Sequence, residues 1–302
     1  MTELSTFIGK FVREHHLPKQ YLALIKNNFL PLCEEIYQLA SDKGGLPFFV
    51  GLNGCQGSGK TTLSQFIKAY LFFKYQSRVV ATSLDDFYLS KNERQQLAAN
   101  IHPLFKTRGA PGTHDTALLS KTLALLNKNN AVNEPFKIPS FDKATDEPYD
   151  VKQWKVINEP VDIVIVEGWC WGVHAQPIEL ISKAVNLLEQ EEDVDGFWRQ
   201  AVNHLLEQQY QPLYSVMDYW LYIKAPSFEH VYQWRLEQER KLELKIKHSG
   251  KTCFAKETMN ESQIARFILF FQRLTEHAIT TMPTVADRVF ELDCNRKIIS
   301  DR

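Results

Sequence analysis

The sequence lacks an excess of charge of either sign, with 35 lysines and arginines against 36 aspartates and glutamates in 302 residues. The net charge of −1 gives no global field that would attract nucleic acid or an anionic membrane, so we expect neither as a partner. No apolar run reaches the ~18 residues of a membrane-spanning helix, and the first residues lack the apolar core of a signal peptide. These absences predict a cytoplasmic protein and leave its oligomeric state open.

Cysteine clusters and a guanine-recognition motif are also absent. The five cysteines are scattered, odd in number and without C-x-x-C spacing, which excludes a disulfide framework and a cysteine-based metal site. This usage fits a reducing compartment. No N-K-x-D sequence is present, so we do not expect GTP to be the preferred phosphoryl donor.

The sequence does contain an alternation of apolar strands and amphipathic helices. Short runs rich in β-branched and aromatic residues predict strands at 46–52, 78–84, 161–166, 219–223 and 288–292. Helical periodicity predicts helices at 4–16, 18–40, 61–75, 116–127, 178–209 in one or two pieces, 227–245 and 261–280. This order indicates an α/β protein with a five-stranded parallel sheet and helices on both faces.

A glycine-rich loop follows the first predicted strand, in the stretch GLNGCQGSGKTTL. Gly54, Gly59, Lys60 and Thr61 fit the pattern G-x-x-x-x-G-K-[ST] between a strand and a helix, the context of a phosphate-binding loop. Glycines let successive backbone N–H groups turn inward around a phosphate. Lys60 would reach the β- and γ-phosphates, and the Thr61 hydroxyl would hold Mg²⁺. The predicted nucleotide-binding residues of this loop are Gly54, Cys55, Gln56, Gly57, Ser58, Gly59, Lys60, Thr61 and Thr62.

Acidic residues follow the second and third predicted strands. Ligands of doubly wound sheets bind beyond the carboxyl ends of the strands, so Asp85 should face the nucleotide and could accept the proton of an attacking hydroxyl. Asp86 is the alternative base, although either aspartate could instead form a turn or a cap. Tyr88 is a further candidate for substrate contact. Glu167, after the third strand, is a candidate catalytic residue and Mg²⁺ ligand, the alternative being an acid that merely terminates the strand.

Two polar stretches between these strands, 102–119 and 137–150, predict an acceptor-binding wall that faces the phosphate loop. Arg108 is the best candidate there for an anion contact, because a guanidinium grips a carboxylate through two hydrogen bonds; the alternative is an ordinary surface arginine. The weaker candidates, which either bind polar acceptor groups or hold loop geometry, are His114, Asp142 and Lys143. Asp115 stands where the helix at 116–127 needs an N-cap.

The segment after the fourth predicted strand, 225–251, combines an apolar helical face with a run of charges. Arg235 and Arg240 could close over the phosphates as a lid and neutralise the charge of the transferring group. The alternative is that these charges form a solvated helix face.

The motifs GLNGCQGSGKTTL, SLDDFYL, RGAPGTHD, PSFDKA, VIVEGW and YQWRLEQE occur in an order and spacing that resembles the plant and fungal type of D-glycerate 3-kinase, which is related to phosphoribulokinase, uridine kinase and bacterial pantothenate kinase. The motifs RGAPGTHD and VIVEGW discriminate best, because many folds share the phosphate loop. The resemblance implies a P-loop kinase domain at 46–302 behind an N-terminal helical extension at 1–45, with ATP and Mg²⁺ as cofactors. By the same similarity Asp85 matches the base and Arg235 matches a lid arginine.

We therefore predict an ATP-dependent small-molecule kinase whose acceptor is a small hydroxy acid, with D-glycerate first among the candidates. Lys60, Asp85, Glu167 and Arg235 would act by positioning and charge neutralisation during in-line phosphoryl transfer. Two alternatives stay open. One is a pantothenate- or nucleoside-directed kinase, and the other is a regulatory ATP-binding module that has no small-molecule acceptor.

Overall fold

A six-stranded sheet organises the part of the chain that this computed structural model describes, residues 2–45, 47–128, 134–248 and 259–302. The strands in chain order are β1 (Phe48–Gly54), β2 (Val79–Ser83), β3 (Phe136–Ile138), β4 (Phe141–Asp142), β5 (Glu147–Pro148), β6 (Lys155–Ile157), β7 (Ile163–Gly168), β8 (Tyr219–Lys224), β9 (Arg288–Leu292) and β10 (Ile298–Asp301). The main sheet has the order β10-β9-β8-β1-β7-β2, and the pairs β3–β6 and β4–β5 form two short ribbons.

Strand β1 lies inside the sheet, parallel to β7 on one side and to β8 on the other. All seven of its residues are buried, as its apolar sequence requires. The register pairs Glu167 of β7 with Leu52 of β1 on one side and with Ser83 of β2 on the other. The carboxyl ends of these three strands therefore meet at one edge, where the phosphate loop begins.

Helices surround this sheet, and α3 and α4 contact β1 directly. The α-helices are α1 (Glu3–Glu14), α2 (Tyr21–Leu24), α3 (Leu30–Lys43), α4 (Lys60–Tyr75), α5 (Lys91–Asn100), α6 (Thr116–Asn127), α7 (Ile178–Ile181), α8 (Leu187–Glu192), α9 (Phe197–Leu205), α10 (Gln211–Tyr214), α11 (Phe228–His248) and α12 (Glu261–Thr281). Two π-helical turns, Ile25–Phe29 and Leu206–Tyr210, join α2 to α3 and α9 to α10. None of the helices in these described ranges combines the length and apolar character that a bilayer crossing needs.

The predicted α/β fold is confirmed, and the sheet has one strand more than the five expected. The additional strand, β10, is only four residues long and pairs antiparallel with β9, so it leaves no extended apolar run in the sequence. The prediction also omits α5, which has little apolar periodicity and begins with a reciprocal capping box between Ser90 and Glu93. The helix expected at 178–209 is divided into several shorter pieces, and Gly196, at φ 76°, precedes one of them.

The N-terminal helices share one hydrophobic core with the rest of the described chain. Phe11 of α1 packs edge-on against Phe66 of α4, with ring centroids 5.1 Å apart. Glu34 of α3 forms an ion pair with Lys74 of α4 at 2.8 Å. These contacts hold the extension against the helix that begins at the phosphate loop. The domain boundary placed at residue 45 remains a prediction.

We expect Phe11→Ala to lower the free energy of unfolding by about 3–5 kcal/mol, because it removes a buried aromatic ring and leaves a cavity. Phe11 is 4% exposed, whereas Phe72 of α4 is 54% exposed and provides the matched control. Phe72→Ala should cost about 1 kcal/mol or less. Urea denaturation followed by circular dichroism measures both variants. One transition that shifts in Phe11→Ala is expected; a separate early transition, with the main one unmoved, would show that the extension does not fold with the kinase core.

Candidate active site

The phosphate loop turns between β1 and α4 through two glycines with left-handed backbone conformation. Gly57 has φ 77° and Gly59 has φ 98°, and a Cβ atom at Gly57 would lie 2.8 Å from the Cβ of Trp234. A side chain at either position would therefore strain the loop. Lys60, the first residue of α4, donates a hydrogen bond from Nζ to the carbonyl of Cys55 at 2.9 Å. Its ammonium group thus lies across the loop to which the motif assigns the phosphates.

Arg296 supports this loop from the turn between β9 and β10. Its Nε donates a hydrogen bond to the carbonyl of Gly57 at 2.9 Å, and its guanidinium lies 5.0 Å from the Trp234 ring centroid. Arg296 and Gly57 are 239 residues apart, and no local pattern marks the arginine. Sequence reasoning therefore had no signal by which to find it.

Thr61 and Glu167, the two predicted metal-binding residues, are in direct contact. Thr61 Oγ1 donates a hydrogen bond to Glu167 Oε1 at 2.8 Å, and Ser64 Oγ lies 3.4 Å from Glu167 Oε2. Glu167 is only 7% exposed. Burial raises the pKa of Glu167, although the nearby Lys60 ammonium opposes this rise. A threonine hydroxyl beside a carboxylate is an oxygen donor set that suits Mg²⁺.

The two aspartates after β2 have different partners. Asp86 Oδ2 accepts the backbone N–H of Ser83 at 3.0 Å and completes a capping box on the following 3₁₀ turn. Asp85 instead lines the cleft, where it accepts hydrogen bonds from Tyr88 OH at 3.0 Å and from Lys143 Nζ at 2.5 Å. Burial alone would raise the pKa of Asp85, but the Lys143 ammonium outweighs this effect and the pKa falls to about 2. Asp85 is thus ionised at neutral pH.

Arg108 lies in the same cleft and pairs with Asp146, with 2.5 Å between Nη1 and Oδ1. The second oxygen of Asp146 lies 2.8 Å from Nη2 of the buried Arg94. One carboxylate thus faces two guanidinium groups, which leaves a positive charge in surplus beside the cleft. The Arg108 guanidinium also lies 5.8 Å from the Phe141 ring centroid. Sequence reasoning missed Arg94 and Asp146, because residues distant in the chain form this network.

Three other candidates make contacts within the acceptor-binding wall. Asp142 accepts the backbone N–H of Ala144 at 2.9 Å and so closes a turn. Asp115 caps α6, which is the structural role expected from its position. His114 is 2% exposed and lies behind the Tyr88 ring, with the two ring centroids 4.4 Å apart. The structure does not bring Asp142 or His114 into the lining of the cleft.

Arg235 and Arg240 both lie on α11 but have different surroundings. Arg235 lines the cleft and pairs with Glu239, with 2.7 Å between Nη2 and Oε2. Its guanidinium lies 6.0 Å from the Phe267 ring centroid. Arg240 is exposed and lies outside the lining of the cleft. Of the two arginines, the structure therefore brings Arg235 to the phosphate loop.

The cleft that these side chains surround has a volume of about 400 Å³ and lies at the carboxyl edge of the sheet. The predicted site residues that line it are Gln56, Gly57, Gly59, Lys60, Thr61, Thr62, Asp85, Tyr88, Arg108, Lys143, Glu167 and Arg235. Cys55 and Ser58 are buried within the loop, and Gly54 ends β1. The cleft also has an amide and aromatic wall, formed by Trp169, Gln238, Phe267 and Phe271. Trp169 and Gln238 belong to the motifs VIVEGW and YQWRLEQE but were not among the predicted site residues, and no motif contains Phe267 or Phe271.

Comparison with known proteins places this site among kinases, although no family model matches the chain. The uncharacterized kinase mug58 of Schizosaccharomyces pombe is 35% identical over 234 residues, which span 74% of this chain and 78% of that protein. The chloroplastic D-glycerate 3-kinase of Arabidopsis thaliana is 26% identical over 259 residues, 83% of this chain and 53% of that longer protein. The solved structure of D-glycerate 3-kinase from Cryptococcus neoformans is 24% identical with a TM-score of 0.75, and the match covers 91% of this chain and 98% of that one.

The fold and the phosphate loop together define a P-loop kinase. The likeness to mug58 extends over more than two thirds of both proteins, and the chain therefore belongs to the family of P-loop kinases that contains mug58. It is an ATP-dependent small-molecule kinase, as predicted. The resemblance to the D-glycerate 3-kinases is also confirmed, since the Arabidopsis relative carries that name.

The different partners of the two aspartates predict different kinetic effects. Asp85→Asn should lower kcat by about 10²–10³-fold and leave the KM for ATP nearly unchanged, because an amide cannot accept the hydroxyl proton. Asp86→Asn should lower kcat by roughly threefold or less, since its amide oxygen can still accept the Ser83 hydrogen bond. Steady-state release of ADP measures both. A greater loss in Asp86→Asn than in Asp85→Asn would reverse the assignment of the base.

The ion pair between Lys143 and Asp85 predicts a pH effect. Burial raises the pKa of Asp85 and the Lys143 ammonium lowers it, so Lys143→Met should raise this pKa. Asp85 then loses its ionised form at a higher pH as the solution is acidified. We expect the acidic limb of the kcat/KM profile to move to higher pH in Lys143→Met.

The matched control for this pH profile is Lys91→Met, which removes the lysine at the start of α5. Lys91 Nζ donates a hydrogen bond to the carbonyl of Thr145 at 2.8 Å, in the acceptor-binding wall, and within the described part of the chain it forms no hydrogen bond or ion pair with Asp85. Its acidic limb should coincide with that of the wild type. Coincident limbs in all three proteins would contradict the role assigned to Lys143.

Proposed function

We propose that this kinase transfers the γ-phosphoryl group of ATP to a hydroxyl of D-glycerate and releases 3-phosphoglycerate and ADP. The observation that carries the proposal is the Asp85 carboxylate between Lys143 and Tyr88, in the same cleft as Lys60 and Arg108. Asp85 would serve as the base for the hydroxyl, and Arg108 and Lys143 would bind the carboxylate. This combination suits a small hydroxy acid. The name of the Arabidopsis relative supports the choice of D-glycerate.

The phosphate loop would hold the nucleotide. Lys60 and the N-terminus of α4 provide positive charge for the β- and γ-phosphates. Thr61 and Glu167 would hold Mg²⁺, which when bound neutralises charge on the phosphate oxygens. Arg235 would add a further positive charge from α11, where it is already oriented by Glu239.

Binding of the acceptor would separate Lys143 from Asp85. In the structure Lys143 neutralises Asp85, and a carboxylate with a pKa of about 2 is a weak proton acceptor. An acceptor carboxylate held by Arg108 would compete with Asp85 for the Lys143 ammonium. Once Lys143 turns to the acceptor, the pKa of Asp85 rises and its oxygen is free to take the hydroxyl proton. Acceptor binding would thereby activate the base.

A panel of acceptors tests the proposed function. Purified protein with ATP and Mg²⁺ is assayed for ADP release with D-glycerate, L-glycerate, glycerol, pantothenate and uridine, and the product is identified by ³¹P NMR. We expect D-glycerate to stimulate ADP release most and to yield the 3-phosphate. Stimulation by pantothenate or uridine alone would establish a different kinase. Rapid ATP hydrolysis that no acceptor increases would favour a regulatory ATP-binding module.

Arg108→Lys should raise the KM for D-glycerate about tenfold or more and change the KM for ATP by less than about twofold. Lysine keeps the charge but loses the planar pair of donors that matches a carboxylate. Glycerol, which has no carboxylate, serves as a control substrate, and its low kcat/KM should be the same in wild type and variant. Equal increases in both KM values would show that Arg108 has a structural role and does not bind the acceptor carboxylate.

A further inference from the structure

A chain of buried contacts runs from Asp85 into the protein, away from the cleft. Tyr88 donates a hydrogen bond to Asp85, and its ring stacks on His114 with centroids 4.4 Å apart and 22° between the planes. His114 Nδ1 lies 2.7 Å from Tyr210 OH. The Tyr210 hydroxyl also accepts the backbone N–H of Gly112 at 2.9 Å. The contacts thus join three parts of the chain. These are the end of β2, the stretch 102–119 of the acceptor-binding wall (below, the acceptor loop), and the helical segment that contains Tyr210.

These hydrogen bonds determine which nitrogen of His114 carries the hydrogen. Gly112 donates its N–H to the Tyr210 oxygen, and among the described residues the Tyr210 hydroxyl has no hydrogen-bond acceptor other than His114 Nδ1, so we assign its hydrogen to that contact. Nδ1 is therefore the acceptor, and the neutral ring carries its hydrogen on Nε2. Burial lowers the pKa of His114 to about 3, so the ring stays neutral.

Tyr210 lies at the end of a π-helical turn. Helix α9 passes into the π turn Leu206–Tyr210, and the Tyr210 side chain at its end is fully buried. The acceptor loop packs closely on this region, since a Cβ atom at Gly112 would lie 2.5 Å from Cδ1 of Leu205. Turns of this type are rare and frequently occur at functional sites.

We propose that Tyr210 and His114 are positioning residues that hold Tyr88, and through it the Asp85 carboxylate, in the orientation that the acceptor hydroxyl requires. Neither residue lines the cleft. His114 Nε2 is buried without a hydrogen-bond partner among the described residues, an arrangement that costs stability and argues against a purely structural role. This inference rests on the proposed function.

Lys143 and Tyr88, the two partners of Asp85, differ in how firmly they are held, and this difference explains why Tyr88 would need support. The side chain of Lys143 is 60% exposed and can leave Asp85 when an acceptor arrives. Tyr88 is 6% exposed, and the stacked His114 fixes its ring from behind. After Lys143 departs, the Tyr88 hydrogen bond is what keeps the Asp85 carboxylate in place.

The test removes one hydroxyl and compares it with a matched neighbour. Tyr210→Phe deletes the oxygen between Gly112 and His114. Tyr214→Phe deletes a similarly buried hydroxyl that donates to the carbonyl of Val173 at 3.0 Å. We expect Tyr210→Phe to lower kcat with D-glycerate about fivefold to tenfold, the scale of one lost hydrogen bond, with the KM for ATP unchanged. Tyr214→Phe should lose comparable thermal stability and keep its kcat.

Two kinetic results would overturn the proposal. If Tyr210→Phe keeps the wild-type kcat, the hydroxyl does not position the base. If both variants lose kcat in proportion to their loss of melting temperature, the effect is one of general stability. ATP hydrolysis without acceptor provides an internal reference and should be the same in all three proteins.

A second measurement does not depend on the acceptor. In protein labelled with ¹⁵N-histidine, the signals of His114 among the nine histidines are identified by their loss in His114→Asn. We expect a neutral ring with hydrogen on Nε2 that does not titrate from about pH 5 to 9, and a changed Nδ1 signal in Tyr210→Phe but not in Tyr214→Phe. A ring that titrates near pH 6.5, or that carries its hydrogen on Nδ1, would overturn the proposal. If D-glycerate is no substrate but this NMR result holds, the proposed function fails by itself and the kinetic comparison is made with the acceptor that the panel identifies.

Discussion

The parallel pairing of β7 with β1 on one side and with β2 on the other is the constraint on which the site depends. It brings the carboxyl ends of β1, β2 and β7 to one edge of the sheet, in a register that places Glu167 between Leu52 and Ser83. The phosphate loop leaves this edge, and the Thr61 hydroxyl then bonds to Glu167 across it. Because β1 and β7 are buried on both faces, a slip in register would disrupt the packing of their apolar side chains as well as separate the polar groups.

Charge balance at Asp85 connects this framework to the proposed catalysis. The carboxylate is partly buried, which favours its protonated form, and the adjacent Lys143 ammonium reverses that preference. The resulting ion pair keeps Asp85 ionised, and it would weaken Asp85 as the proposed base until an acceptor binds. A substrate that carries its own carboxylate can take over Lys143, so the same charge that would bind the acceptor would also release the base. A neutral alcohol offers no such exchange, which gives a physical reason for preferring a hydroxy acid.

The sequence was sufficient for the parts of the structure that follow from local patterns. The five parallel strands could be predicted because each is a short apolar run, and the phosphate loop could be predicted from its glycine spacing. It could not separate the roles of Asp85 and Asp86, since the backbone at the end of β2 decides which of the two carboxylates accepts the Ser83 N–H. It also could not indicate Arg296 or Tyr210, whose contacts with the phosphate loop and the acceptor loop join segments far apart in the chain. Such contacts exist only once the fold has formed.

A crystal structure with ADP, Mg²⁺, aluminium fluoride and D-glycerate would test the central claim most directly. The account predicts that the acceptor hydroxyl lies within hydrogen-bond distance of Asp85, that its carboxylate contacts Arg108 and Lys143, and that Lys143 no longer pairs with Asp85. D-glycerate bound with its hydroxyl away from Asp85, or an intact ion pair between Asp85 and Lys143 in that complex, would contradict it.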